Sequence, residues 1–216
     1  MTAWQNQPII RVRKGRYLFN FFINISAGVG GKCSMEGKRL TSYAMEELEC
    51  PKCGHKHSLK KYKVIDVTEK AKLKEEIMKN RLYQFSCEEC EYMAPLTYDS
   101  LYVDSQRNIM IYMAPVMNAE IKAEIAELEQ EKGIDKRLVD NINDLKEKIM
   151  IVDNHLDDRV IEIIKIMYLD QIKKEMEDDT LLNILFDYNR DNYCFLVFPE
   201  KGNWKDSIDK RVLPSS

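Results

Sequence analysis

The sequence predicts an α+β protein: a β domain pinned by four cysteines and carrying one inserted helix, then a helical segment and a C-terminal β-hairpin. Three observations carry that expectation. Two Cys-x-x-Cys pairs, Cys50/Cys53 and Cys87/Cys90, sit in a stretch rich in β-branched and aromatic residues. Between positions 121 and 167 apolar residues recur at steps of three and four, the helical period. The tail then returns to the β-rich runs "LLNILFDY" and "NYCFLVF".

Within the first region, "SLKKYKVIDV" has strand composition, and in "RLYQFSC" Leu82 and Gln84 alternate with Tyr83 and Phe85, the strand period of two. "SLYV" and "IMIYM" flank the polar "DSQRN", which predicts a hairpin. One helix interrupts these strands. Thr68 is placed to cap it, Leu73 and Ile77 lie one turn apart, and Asn80 suits a left-handed end.

After Pro115, Ile121, Ile125 and Leu128 mark a second helix, which Gly133 ends. Leu138, Ile142, Leu145, Ile149 and Val152 continue the spacing behind Asp135, predicting a helix capped at that aspartate. Another starts near Asp157, with Leu156 and Ile161 in staple positions and Val160, Ile163, Ile164 and Met167 as its expected core face. His155 and the Asp157/Asp158 pair are expected to serve as a cap or surface group and as N-terminal helix charges, not as catalysts. Asn189 to Asn192 turn the closing hairpin, and Cys194 within it is expected to be a small core residue.

These elements divide the 216 residues into a leader over 1–45, a β domain over 46–117 and a helical region with its hairpin over 118–216. The composition, 44% hydrophobic and 32% charged, belongs to a soluble globular chain. The net charge of −3 creates no general attraction for nucleic acid. It is unevenly spread: residues 1–34 hold Arg11, Arg13, Lys14, Arg16, Lys32 and no acid, a charge of +5 that leaves −8 for the rest. That head has the order of a signal peptide, basic then apolar then small. Asn20 and Asn24 interrupt its apolar run, however, and it is too short and polar to span a membrane. Lys32 also spoils a lipoprotein-type site at Cys33. We expect it to be a leader outside the folded body, with translation beginning at Met35 or Met45.

The doubled Cys-x-x-Cys in a Lys/Glu-rich body points to a metal site in a reducing compartment, the cytoplasm, in preference to a disulfide framework. A structural zinc ion takes four ligands in a tetrahedron with Zn–S near about 2.3 Å. In "CPKCG", Pro51 presets a tight turn, and Gly54 can take the positive φ that aims backbone N–H groups at the sulfurs. A second such turn completes the set, so Cys50, Cys53, Cys87 and Cys90 are the expected ligands of a zinc-ribbon-like domain. The second turn, "CEECEY", lacks the proline and has Glu91 where glycine is expected. Glu88, Glu89 and Glu91 are expected to face solvent, while Lys52, Lys56, Lys60 and Lys61 relieve the charge of four thiolates. His55 and His57 are alternative ligands, more in keeping with surface or supporting groups.

The competing readings are weaker. A redox Cys-x-x-Cys belongs at a helix N-terminus in a βαβ unit, and here the first pair leads into a strand. Four cysteines leave a catalytic zinc no open position, and the chain holds no phosphate loop, HExxH or Ser-His-Asp pattern, so no enzyme is expected. Iron at the same sulfurs would make an electron carrier of the rubredoxin kind, although the sequence breaks the repeated turn of such sites. "HKHSLKKYK" with Tyr83 and Phe85 could bind nucleic acid, but the body is acidic. The favoured partner is another protein.

"CPKCG", the "VTEKAKLKEEIMKN" helix, "LYQFSC" entering the second pair and "SLYVDSQRNIMIYMAP" after it resemble the CpXC domain family of bacterial proteins. "LVDNINDLKEKIMIVDNHLDDRVIEIIKIMYL" resembles the extension many such proteins carry, so the likeness covers roughly residues 46–198. It implies that Cys50, Cys53, Cys87 and Cys90 are the family's characteristic cysteines, with Glu88 standing where the second pair would have proline. It implies no particular biochemical activity.

Overall fold

A computed structural model describes residues 41–68, 70–175, 181–189 and 192–199. The leader and Cys33 lie outside the described residues as far as residue 40, as does the tip of the closing hairpin at 190–191. Strand β1 (Ser42–Glu49) and β2 (Lys56–Asp66) form an antiparallel ribbon, and the turn between them holds Cys50 and Cys53. Helix α1 (Ala71–Met78) follows, then a 3-10 turn over Arg81–Tyr83. Next comes a short second hairpin, β3 (Gln84–Ser86) and β4 (Met93–Pro95), whose turn holds Cys87 and Cys90. A third hairpin, β5 (Ser100–Asp104) and β6 (Ile109–Met113), has the polar turn its sequence predicts.

After β6 come α2 (Ala119–Glu129), β7 (Asp135–Val139), α3 (Ile142–Asp153) and α4 (Asp158–Glu175). The antiparallel hairpin of β8 (Leu181–Asn189) and β9 (Asn192–Pro199) closes the described chain. The main sheet runs β1-β2-β5-β6-β7 and is mixed: β2 pairs parallel with β5, and β6 parallel with β7. Parallel neighbours need long crossovers. Residues 67–99 make the first, bringing α1 and the second cysteine hairpin with them, and α2 makes the other.

The crossovers decide where the core lies. Every residue of β5 and β6 is buried, as befits strands covered on both faces. On one face Ile65, Tyr102, Ile111, Met113 and Val139 pack with Ile77 of α1 and with Leu145 and Ile149 of α3. On the other, Leu101, Val103, Met110 and Tyr112 pack with Ile121 and Leu128 of α2. Fully burying a side chain such as Ile111 contributes about 1.5–3 kcal/mol. A third cluster, Ile151, Ile161 and Phe186, seats the closing hairpin on α3 and α4.

Four local expectations need correction. The helix expected from Asp135 is a strand over Asp135–Val139, and α3 starts only after Asn141, whose side chain accepts from the Asp144 N–H as a cap. Pairing with the buried β6 wins over local helical spacing there. Thr68 does not cap α1; its Oγ1 accepts from the Ser105 N–H at 2.9 Å, tying that loop to the end of β5. The strand expected over 81–87 is a strand only at Gln84–Ser86, yet the alternation holds, for Tyr83 and Phe85 are both buried. Finally, α4 turns a different face inward. Ile161 and Lys165 are buried and Ile164 of the expected face is half-buried, while Val160, Ile163 and Met167 are exposed, Met167 by 66%. Asn80 ends α1 with φ 61°, and His155 takes φ 57° after α3 as a helix-terminating residue.

Candidate metal centre

The site forms where the two cysteine hairpins meet. Each Cys-x-x-Cys segment is the tip of an antiparallel hairpin, β1–β2 or β3–β4. At the first tip the Cys50 N–H donates to the His55 carbonyl and the Gly54 N–H to the Cys50 carbonyl, both at 2.8 Å. At the second the Cys87 N–H donates to the Tyr92 carbonyl at 2.8 Å and the Glu91 N–H to the Cys87 carbonyl at 3.0 Å. Gly54 has φ 73° and Glu91 φ 55°. The second turn therefore repeats the first residue for residue, although its sequence lacks both the proline and the glycine. The repeat that looks broken in sequence is intact in the backbone.

The four sulfurs converge. All lie within 4.8 Å of one another, with Cys50 to Cys90 at 3.7 Å and Cys53 to Cys87 at 3.5 Å. A tetrahedron with Zn–S near 2.3 Å has edges of about 3.8 Å, so the donor set fits a four-coordinate ion in number, element and spacing. Cys50 and Cys87 are buried, Cys90 is partly buried and Cys53 is exposed, which makes this a surface site with a sheltered base. Leu48, Leu59, Tyr92 and Leu96 pack around Phe85 and the inner cysteines, an apolar sheath that the cysteine spacing gives no reason to anticipate.

The sulfurs do not share charge easily by themselves. Burial opposes ionisation of Cys50, but the Cys53 and Lys52 backbone N–H groups and neighbouring thiols bring it down to about 7. The His55 backbone N–H lowers Cys53, yet burial and the three other thiols outweigh it and push it up to about 12. Burial also pushes Cys90 up. Ionisation is eased at Cys50 and resisted at Cys53 and Cys90, and a bound cation would favour the thiolate form.

Glu88, Glu89 and Glu91 are exposed, as expected. Lys60 and Lys61 differ from expectation. Lys60 lies 4.9 Å over the Tyr43 ring, and its partner in the β1 register is Met45, on the face of the ribbon away from the sulfurs. Lys61 pairs with Glu46 at 2.7 Å. A side chain that does reach a sulfur is His57, whose Nε2 is 3.2 Å from the Cys87 Sγ. His55 is exposed, with its ring 4.9 Å from that of His57. Cys194 sits in β9, where its thiol donates to the Asp187 carbonyl, apart from the cluster. Burial of Tyr83 and Phe85 leaves neither ring a face for stacking bases.

Fold and site together define a protein built on two cysteine-tipped hairpins whose four sulfurs can hold a metal ion. The family model described as CpXC protein matches residues 48–165, more than half of the chain, and the chain belongs to that family. The match ends within α4, so the closing hairpin lies beyond it. Comparison with curated proteins and with solved structures gives no match. Among the described residues no helix is long and apolar enough to cross a membrane.

Proposed function

We propose that this CpXC protein is a non-enzymatic zinc protein of the cytoplasm, in which Cys50, Cys53, Cys87 and Cys90 hold one structural ion and the body docks another protein. The observation that carries the reading is the convergence of four sulfurs from two hairpin tips to within 4.8 Å. When bound, zinc supplies a cross-link between segments far apart in the chain and neutralises part of the thiolate charge. Four protein ligands leave no position for a substrate, which favours a structural role. The exposed Val160, Ile163, Ile166 and Met167 on α4 support the protein-contact half of the reading, since apolar side chains left outside a core at helical spacing are how helices meet partners.

The test is elemental analysis of chain purified without added metal, with a melting curve before and after chelation. One zinc per chain and a lower melting temperature after chelation are expected. Substoichiometric metal with an unchanged melting temperature overturns the reading.

Iron in the same four sulfurs is a second reading, favoured by one observation: the two turns repeat each other's backbone hydrogen bonds. Colour separates the two, because a ferric thiolate centre absorbs visible light and zinc does not.

A further inference from the structure

His57 stands out once the four sulfurs are assigned to the metal. It lies on β2 opposite Leu48 of β1, on the face of the ribbon that also carries Leu59. Its ring meets Phe85 of β3 edge-on, with centroids 5.3 Å apart and planes at 79°. That packing holds Nε2 at 3.2 Å from the Cys87 sulfur, which is itself buried. The contact crosses from the first cysteine hairpin to the second.

We propose that His57 is a positioning residue for the metal centre: its Nε2–H donates to the Cys87 thiolate and anchors the second turn. The inference rests on the reading of the four sulfurs as metal ligands. Three physical arguments support it. Four thiolates around a divalent ion carry a net charge of −2, and an N–H donor aimed at one sulfur disperses it. The coordination shell is already filled by four sulfurs, so a nitrogen at this distance serves the sulfur and not the ion. Moreover, the donor falls on the turn that needs help. The first turn has Pro51 and Gly54 to set its shape, whereas the second has Glu88 and a left-handed Glu91 in the corresponding places. His57 supplies from outside the restraint that the second turn lacks within itself.

The experiment uses the full chain loaded with zinc or with cadmium-113. In the wild type, long-range proton–nitrogen correlation is expected to show His57 as the Nε2–H tautomer, with no direct coupling between cadmium and its nitrogen. His57→Phe keeps the ring packing and removes the donor. It should bind one metal per chain but lose zinc to a chelator roughly 10-fold faster, with a displaced cadmium resonance. His57→Gln, which restores an N–H, should recover part of that loss. Direct cadmium–nitrogen coupling at His57 would make it a ligand and overturn the proposal. So would zinc loss from His57→Phe at the wild-type rate. A wild-type chain that takes up no metal removes the reading of the four sulfurs, and this inference with it. Because the tautomer is read on the wild type, the test survives a variant that fails to fold.

Discussion

Gly54 and Glu91 occupy the same position in their respective cysteine turns, at φ 73° and φ 55°. Only the first is the residue that conformation prefers. A non-glycine residue in the left-handed region carries a strain of about 1–2 kcal/mol. Glu91→Gly should therefore stabilise the metal-loaded protein, by about 1 kcal/mol once the greater freedom of glycine in the unfolded chain is subtracted. Gly54→Ala should destabilise it by a similar amount, through strain alone, since an added Cβ would meet only the Glu49 Oε1 at an ordinary 3.5 Å. Paired thermal melts check both, and a loss of stability in Glu91→Gly would contradict the shared geometry of the turns.

Cysteine replacement should divide sharply. Cys87→Ser removes a buried sulfur from the cluster and is expected to abolish stoichiometric metal binding, whereas Cys194→Ser, whose thiol faces the Asp187 carbonyl, should leave one ion per chain. Metal content of the two purified variants decides the matter. Equal loss in both would show that Cys194 belongs to the site.

The site was more legible in the sequence than the sheet around it. "CPKCG" encodes a turn by local chemistry, and the "DSQRN" hairpin and the left-handed Asn80 are local as well. The strand at Asp135–Val139 is not. It is a five-residue strand with Leu138 exposed, held in place by parallel pairing to β6, and Leu138 happens to fall four residues before Ile142. A pattern read along the chain merges it with α3. The His57–Cys87 contact was hidden for a related reason, because 30 residues separate its members and only the meeting of two hairpins brings them together.

Helix α4 shows a different limit. It is apolar on more than one face, and spacing alone points to the stripe of Val160, Ile163, Ile164 and Met167. The choice falls to Lys165, which is buried because Glu147 of α3 awaits it, and Ile161 turns inward with it. Ile161→Ala should therefore cost about 2–5 kcal/mol. Ile163→Ser, at a residue 58% exposed, should change stability by no more than about 0.5 kcal/mol. Urea unfolding of the two variants checks the orientation of the helix, and a reversal of these effects would mean that the sequence-derived face is the buried one.

The start of α4 should leave a mark on acid stability. Burial works against the Asp158 charge, but the Arg137 guanidinium, which donates Nη2–H to Oδ1 at 2.6 Å, outweighs it and holds the carboxyl below its ordinary range. Arg159 draws Asp157 down to about 2 in the same way, though that pair is exposed and contributes little to stability. A depressed carboxyl stabilises the fold above its unfolded value, near about 3.9, and that stability is lost as pH falls through the folded value. The wild type should exceed Asp158→Asn in stability at pH 6, and the gap should narrow below about pH 4. Urea titrations of both proteins across that range measure it. A gap that stays constant with pH would show that the ion pair is not its source.

The strongest prediction concerns Glu147 and Lys165. The ammonium donates to both carboxylate oxygens at 2.9 Å, and one of those oxygens also accepts the Phe186 N–H of β8. Burial opposes both charges: it pushes the Glu147 carboxyl up, whereas at Lys165 the facing carboxylate outweighs it and raises the ammonium's pKa. Removing Lys165 leaves the buried Glu147 carboxylate without the ammonium that donates to both its oxygens, and removing Glu147 leaves Lys165 with Glu162 Oε1 at 3.3 Å. Glu147→Leu and Lys165→Met should each cost about 3–5 kcal/mol. The double variant should cost far less than their sum, because no lone charge remains. It should not return to the wild-type value, since the Phe186 N–H loses its acceptor at about 1–3 kcal/mol. A double-mutant cycle by urea unfolding tests this, and additive losses would mean that the two groups do not stabilise each other across α3 and α4.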